Sequence, residues 1–288
     1  MPVIGNNILM KNVSIKDFDS NNYDSSKLNL SILLTQNGLS FSLKLVEENK
    51  FIALHSYKFQ NKRKILDETE KYLKKENLLG KVFNSILVVI SDSRQTIVPD
   101  VLFSPGSENN IWELNFEPDE SCEVLYSHLE KSENYVVFPI NRSLNDKIKA
   151  LFPDCKLYPS SHTFIESHFT QNILDENQTN AKIFVQVFDD YFELLVLNKA
   201  GIKLFNVFSY TTSNDILYFL INVFDKLKLS QSETELVLSG FIDSDNSAII
   251  NLKKFVSQVY FESQNTDYNY FYRFQEIAPH YFYNFLNF

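Results

Sequence analysis

Leu30-Ser31-Ile32-Leu33-Leu34-Thr35-Gln36-Asn37-Gly38-Leu39-Ser40-Phe41-Ser42-Leu43-Lys44-Leu45 reads as two strands and the tight turn between them. Asn37-Gly38 is a strong hairpin signal because both residues tolerate positive φ. After the turn, Leu39, Phe41, Leu43 and Leu45 alternate with Ser40, Ser42 and Lys44, the mark of a half-buried strand. Working outward, Glu47–Lys50 turns the chain into a third strand, Phe51–Tyr57. Ile65, Leu66, Thr69, Tyr72 and Leu73 then fall at helical spacing, with Asn77 and Gly80 as the stop. Ser85–Ile90 is a short apolar, β-branched run of the kind found in buried parallel strands.

The same order returns roughly 152 positions later, and such self-similarity is the strongest organising signal in a chain. Ile183–Phe188 is turned by Asp189-Asp190 into Phe192–Leu197. Asn198–Gly201 turns again into Ile202–Phe208. Ser213 is placed to cap a helix carrying Ile216, Leu217, Leu220, Val223, Phe224 and Leu227, and Glu235–Leu238 is the buried strand, closed by Ser239-Gly240. A helix over 143–152 and a strand over 155–158 match a helix over 245–256 and a strand over 257–261, now about 104 positions apart. The first half therefore carries roughly 48 extra residues, near 92–138.

That insertion holds Trp112, the one tryptophan, and reads as irregular structure with a small subdomain, ending in a strand at Tyr135–Phe138. Ser160 and Ser161 cap a helix through Phe164, Ile165, Phe169 and Ile173 that connects the halves. Residues 175–180 form a polar linker. The expected organisation is a polar extension over 1–27, a first half over 28–159 and a second over 160–288. The aromatic C-terminal stretch is expected to form a last strand, Tyr268–Phe274, and a short helix after Pro279. Both should pack on the second sheet, with part of that surface available to a partner protein.

A net charge of −9 disfavours non-specific contact with phosphate backbones, so a nucleic-acid partner is not expected. Met1–Asn12 holds Gly5, Asn6 and Asn7 where a signal sequence needs an apolar run, and no stretch is long and apolar enough to span a membrane. Cys122 and Cys155 are too few for a disulfide framework, and a reduced cytoplasm is the simplest setting. Six glycines in 288 residues, against a norm of roughly 7%, leave few places for a phosphate-cradling loop.

Three hairpin-linked strands followed by helix, strand, helix, and then the whole repeated, resembles the ribonuclease-H-like unit doubled as in the actin-like ATPase fold. The same pattern is similar to the actin-like cytoplasmic proteins of bacterial pilus and secretion platforms. Ile97-Val98-Pro99-Asp100-Val101-Leu102-Phe103 and Ala278-Pro279-His280-Tyr281-Phe282 further resemble a family of bacterial proteins of unknown function assigned that architecture. The resemblance covers about residues 28–288. It implies an α/β fold of two βββαβαβ-type subdomains, with an insertion in the first.

It also implies where a nucleotide would lie. The positions that match the phosphate loops are Thr35, Asn37 and Gly38 in the first hairpin, Asp189 and Asp190 in the second, and Ser239, Gly240 and Phe241 after the late strand. Active members place an acid and glycines in each hairpin. Here the first lacks the acid, the second lacks glycine and carries the bulky Tyr191, and the late loop keeps one glycine of a pair. Phosphoryl transfer rests on positioning and charge neutralisation. A vestigial site with no Mg·ATP, and a cleft or insertion that binds a protein or peptide, is the reading these losses imply. An active ATPase or kinase with divergent loops is the first alternative. A metal-dependent nuclease using Asp189, Glu193 and Asp243 is the second.

Two smaller motifs have plainer readings. Asp17-Phe18-Asp19-Ser20-Asn21 imitates the start of a calcium loop, but Asn22 stands where glycine is needed and Leu28 where the closing glutamate belongs. In Asp243-Ser244-Asp245, Asp245 is expected to cap the helix over 245–256. The five histidines show no spacing that pairs ligands.

Overall fold

A computed structural model describes residues 12–17, 23–61, 64–174 and 180–287. Most of the calcium-like motif, at 18–22, and most of the polar linker, at 175–179, lie outside the described residues.

The first sheet is built on the meander β2 (Leu28–Thr35), β3 (Gly38–Leu45) and β4 (Lys50–Lys58), preceded by β1 (Val13–Lys16). Helix α1 (Ile65–Lys75) crosses to β5 (Ser85–Ile90), which lies parallel to β2. Asn77 (φ 54°) and Gly80 (φ 72°) stop α1 in the left-handed region that asparagine and glycine tolerate. Helix α3 (Arg142–Leu151) leads to β9 (Lys156–Pro159), parallel to β5. Helix α4 (Ser160–Leu174) joins this half to the second meander, β10 (Lys182–Val187), β11 (Tyr191–Asn198) and β12 (Gly201–Ser209). After it come α5 (Ser213–Leu227), β13 (Glu235–Gly240), α6 (Ser247–Leu252) and β14 (Val259–Phe261). The strand orders β4-β3-β2-β5-β9 and β12-β11-β10-β13-β14 are the same. The duplication read from the sequence is thus a duplication of topology.

Burial follows the alternation. Leu30, Ile32 and Leu34 pack with Tyr72, Leu73 and Ile148 on the outer face of the first sheet. Leu33, one register position off, faces inward with Phe51 and Val89, in one core with Val185, Phe192 and Leu238 of the second sheet. That period of two sends successive β2 side chains to opposite faces of the sheet.

Four sequence expectations are corrected. The insertion holds three strands rather than one: β6 (Thr96–Pro99), β8 (Asn134–Asn141) and β7 (Cys122–Leu129) form an antiparallel sheet, with α2 (Glu108–Glu113) laid on it. Its partial cover on both faces blurs the alternation that would have revealed β7. Helix α6 begins at Ser247 rather than 245. Its cap is Asn246, whose side chain accepts from the Ala248 N–H at 2.9 Å. Helix α5 is capped one residue early, and the Asp215 carboxylate accepts from the Thr211 and Thr212 N–H groups at 2.9 and 2.8 Å.

The fourth correction concerns the C-terminal strand. It is only β15 (Asn269–Tyr270), and it pairs parallel with Lys50–Phe51 of β4, in the first sheet. Asn269 anchors it, since its N–H donates to Asn49 O at 3.0 Å and its amide to Glu48 O at 2.8 Å. The chain then turns back to α7 (Tyr283–Leu286), packed on α4 and β13. The aromatics divide accordingly. Phe271, Phe274, Phe282, Tyr283 and Phe285 are buried, while Tyr260 and Tyr272 are exposed. Val13–Lys16, inside the polar extension, pairs with Ala53–Ser56 along the same edge of β4.

Candidate functional site

The turn of the first hairpin is Gln36-Asn37, because Thr35 pairs with Gly38, and Gly38 already belongs to β3. Asn37 is therefore held in a way the Asn-Gly reading did not foresee. Its N–H donates to Thr35 Oγ1 at 3.2 Å, and its carbonyl accepts from the Phe59 N–H at 2.8 Å. Thr35 Oγ1 in turn donates to Gly38 O at 3.3 Å. Thr35 and Asn37 are both buried although they sit at a loop tip.

What buries Asn37 is the other half. Its Nδ2 donates to Asp189 Oδ2 at 2.5 Å, so the two hairpin tips, 152 residues apart, are hydrogen-bonded to each other. The second tip is stiffened from behind. Phe188 N donates to Tyr191 O at 2.9 Å, Tyr210 N donates to Asp190 O at 2.9 Å, and the Tyr210 hydroxyl donates to Phe188 O. Tyr191 is 3% exposed, stacks on Phe188, and shares a 2.6 Å hydroxyl–hydroxyl bond with Ser91, the residue after β5. Burial pushes the Tyr191 hydroxyl well above its ordinary pKa, so it serves as a neutral hydrogen-bonding group.

Beside this contact lies a buried polar network that no sequence motif announced. Glu193, fully buried on β11, accepts from the Ser160 hydroxyl and, at 3.1 Å, from Gln95 Nε2. Gln95 Oε1 accepts from the Ser161 hydroxyl and N–H. Burial drives the Glu193 carboxyl up to about 7, against the pull of the Ser160 and Gln95 hydrogen bonds. Ser160 and Ser161 read as helix caps in the sequence. Gln95, just before β6, carried no signal.

The late loop turns against its own half. Ser239 Oγ donates to Val185 O at 3.1 Å and accepts from the C-terminal Asn284 at 2.9 Å. Gly240 (φ 85°) is pressed on Val187, and Phe241 N donates to Val187 O at 2.8 Å. Phe241 is buried between Phe188 and Phe282. Of the eight predicted residues, Asn37 and Asp189 are brought into direct contact. Thr35, Gly38 and Asp190 frame that contact, while Ser239, Gly240 and Phe241 back the second hairpin.

The three acids of the nuclease alternative have separate neighbours: Asp189 binds Asn37, Glu193 binds Ser160 and Gln95, and Asp243 accepts from the Tyr281 hydroxyl. Among the described residues, no group of three His, Cys, Asp or Glu side chains is placed to hold a metal. Truncating Asn37 to alanine removes a donor from a partly buried carboxylate. It should lower stability by about 2 kcal/mol, read as a shifted urea midpoint at constant slope.

The pattern of the family of proteins of unknown function DUF3822 matches residues 17–259. The chain belongs to that family. The DUF3822 chain is similar in structure to a Bacteroides thetaiotaomicron protein described as having an actin-like ATPase fold and unknown function. The two share 24% identity over 85% of this chain and 93% of that one, with a TM-score of 0.76. The type IV pilus biogenesis complex PilM–PilN is a second likeness, at 13% identity over 90% and 96% of the two chains and a TM-score of 0.58. Both likenesses are likenesses of fold, and they agree with the doubled ribonuclease-H-like topology. No curated protein matches this chain.

Proposed function

We propose that this protein is a degenerate, non-catalytic member of the actin-like fold. On this reading its halves, 28–159 and 160–288, act in the cytoplasm as a binding or scaffold module for a protein or peptide. The observation that carries the reading is the Asn37–Asp189 hydrogen bond. A phosphate gripped between the two tips would need a hydrogen bond on each side, about 5.5 Å before counting the phosphate itself. The tips stand at 2.5 Å, and the group facing Asn37 is a carboxylate. Thr35, Gly38 and Asp190 are then remnants of a nucleotide site kept because they frame the contact between the halves, and Ser239, Gly240 and Phe241 because they back the second hairpin.

Support for a partner comes from the insertion. A groove of about 670 Å³ runs between it and β12, lined by Ile97, Val101, Phe169, Ile202 and Phe205, with Lys131 and Lys203 at hand. Val101 is 91% exposed and Leu102 72%, an apolar rim with no cover. PilM, whose fold is similar, is seen in a complex with PilN. Among the described residues no helix is long and apolar enough to cross a membrane.

Thermal denaturation with and without Mg·ATP tests the degenerate site. The expected result is an unchanged midpoint. A ligand at a hundred times its dissociation constant adds about 2.7 kcal/mol, so a clear rise would restore the ATPase alternative. Affinity capture from the native host with the wild type, and with Val101→Asp/Leu102→Asp, tests the scaffold. A partner captured only by the wild type is expected, and equal capture by both would remove the insertion from the reading.

A further inference from the structure

A second cavity lies at the far end of the first sheet from the hairpin tips. It measures about 190 Å³ and is lined by Asn29, Ser31, Lys44, Ser85 and Lys156, with Phe51, Leu87 and Leu286 as its apolar floor and wall. Asn29 is six residues before Thr35 on β2, roughly 20 Å along the strand. The cavity is therefore separate from the cleft between the halves.

The sheet register explains why its polar groups converge. Asn29 sits between Lys44 of β3 and Ser85 of β5, and Leu87 of β5 is paired with Lys156 of β9. Lys44 and Lys156 thus approach one space from opposite sides, with Ser31 between. This face of β2 continues inward as Leu33, in the core shared by the two sheets. The polar stretch is thus the open end of an otherwise apolar face, and α7 closes it through Leu286.

The charge of this lining is unbalanced. It holds two ammonium groups and no carboxylate, in a chain whose net charge is −9. The Lys44 ammonium lies 4.7 Å from the Tyr268 ring centroid and 5.7 Å from that of Phe51. Those rings fix its position, and a π face offsets only part of a cation's lost hydration. Burial accordingly pulls the Lys44 amine below its ordinary pKa.

We infer that this cavity binds a compact organic anion, its phosphate or carboxylate group held by Lys44 and Lys156 with hydrogen bonds from Asn29, Ser31 and Ser85. The apolar part of the ligand lies against Phe51 and Leu286. A space of about 190 Å³ suits a small metabolite better than a nucleoside triphosphate. The inference is independent of the closed hairpins, and a response to Mg·ATP would leave it standing.

Isothermal titration of the full chain tests it, with inorganic phosphate, phenyl phosphate, succinate and benzoate as probes and sodium chloride at matched ionic strength as reference. Saturable one-to-one binding of at least one oxyanion is expected, tighter for phenyl phosphate than for inorganic phosphate, or for benzoate than for chloride. A response confined to the phosphates assigns a phosphoryl ligand, and one confined to succinate and benzoate assigns a carboxylate. Lys156→Met, at an exposed position, should weaken binding at least tenfold. Lys44→Met should do the same, while Lys27→Met, on a lysine outside the cavity, should leave it unchanged. Binding no stronger than that of chloride, or equal binding by wild type and Lys156→Met, overturns the assignment.

Discussion

Gly240→Ala is expected to cost the fold about 3–5 kcal/mol, the sum of backbone strain and overpacking at one position. Gly240 holds φ at 85°, a region that side-chain-bearing residues avoid. It is also the register partner of Val187 on the neighbouring central strand. A Cβ there would come within 2.6 Å of Val187 N and 2.9 Å of its carbonyl carbon, and closer still to the carbonyl oxygen. Those atoms are backbone of β10, which carries the second hairpin, so relief means parting β10 from β13. For a chain of this size the melting temperature should fall on the order of 10 °C. Gly106→Ala is the control, since φ there is 94° but nothing lies within 4 Å of the added carbon. It should lose only the strain, about 1–2 kcal/mol. Equal losses in the two variants would refute the close approach at Val187.

The second large effect is one of pH. Glu193 titrates near 7 in the fold against an ordinary value of 4.5. Between those values the folded chain keeps a proton that the unfolded chain has released. Its contribution to stability is therefore full below pH 4.5, is lost as pH rises toward 7, and is level above that. The size is about 3 kcal/mol, at 1.36 kcal/mol per unit. Glu262, also raised to about 7 by burial, acts in the same direction. His162 and His168, which burial holds down to about 4 and about 3, act in the opposite one. They favour the fold above their ordinary value of 6.5 and lose that contribution as pH falls. The wild-type profile is consequently a near-cancellation, and the informative quantity is a difference. Glu193→Gln keeps an acceptor for Ser160 and Gln95 and cannot ionise. Relative to wild type, it should gain stability steadily from pH 4.5 to 7 and by a constant amount beyond, in urea unfolding at pH 5, 6, 7 and 8. Parallel profiles would mean that Glu193 is not the buried acid described.

The two meanders were legible because each half of the signal is local. Alternation in Leu39–Leu45 and turn residues at Asp189-Asp190 need no knowledge of the rest of the chain, and the strand order follows from the repeat. The role of Asn37 was not legible. Asparagine before glycine argues for a turn on local grounds, whereas its amide is spent on a carboxylate 152 residues away. The grouping of Gln95 with Ser160 and Glu193 was missed for the same reason, because buried polar partners are chosen by the fold and leave no spacing in the sequence. β15 was misplaced because aromatic composition says that a segment will be buried without saying against what. Phe51, rather than the second sheet, receives Tyr270, with ring centroids 5.4 Å apart.

β4 is where the earliest and the last strand of the described chain meet. β1 lies along Ala53–Ser56 and β15 along Lys50–Phe51, so one border of the first sheet is finished by its earliest strand and by its last. During synthesis from the ribosome, the first half can assemble its meander long before β15 has been made. Through that interval Lys50 and Phe51 present bare strand border to the surroundings, a template for pairing between nascent chains. Arrival of the segment around Asn269 then closes that border, and a nascent chain stalled before it should be the form most prone to stick to its neighbours.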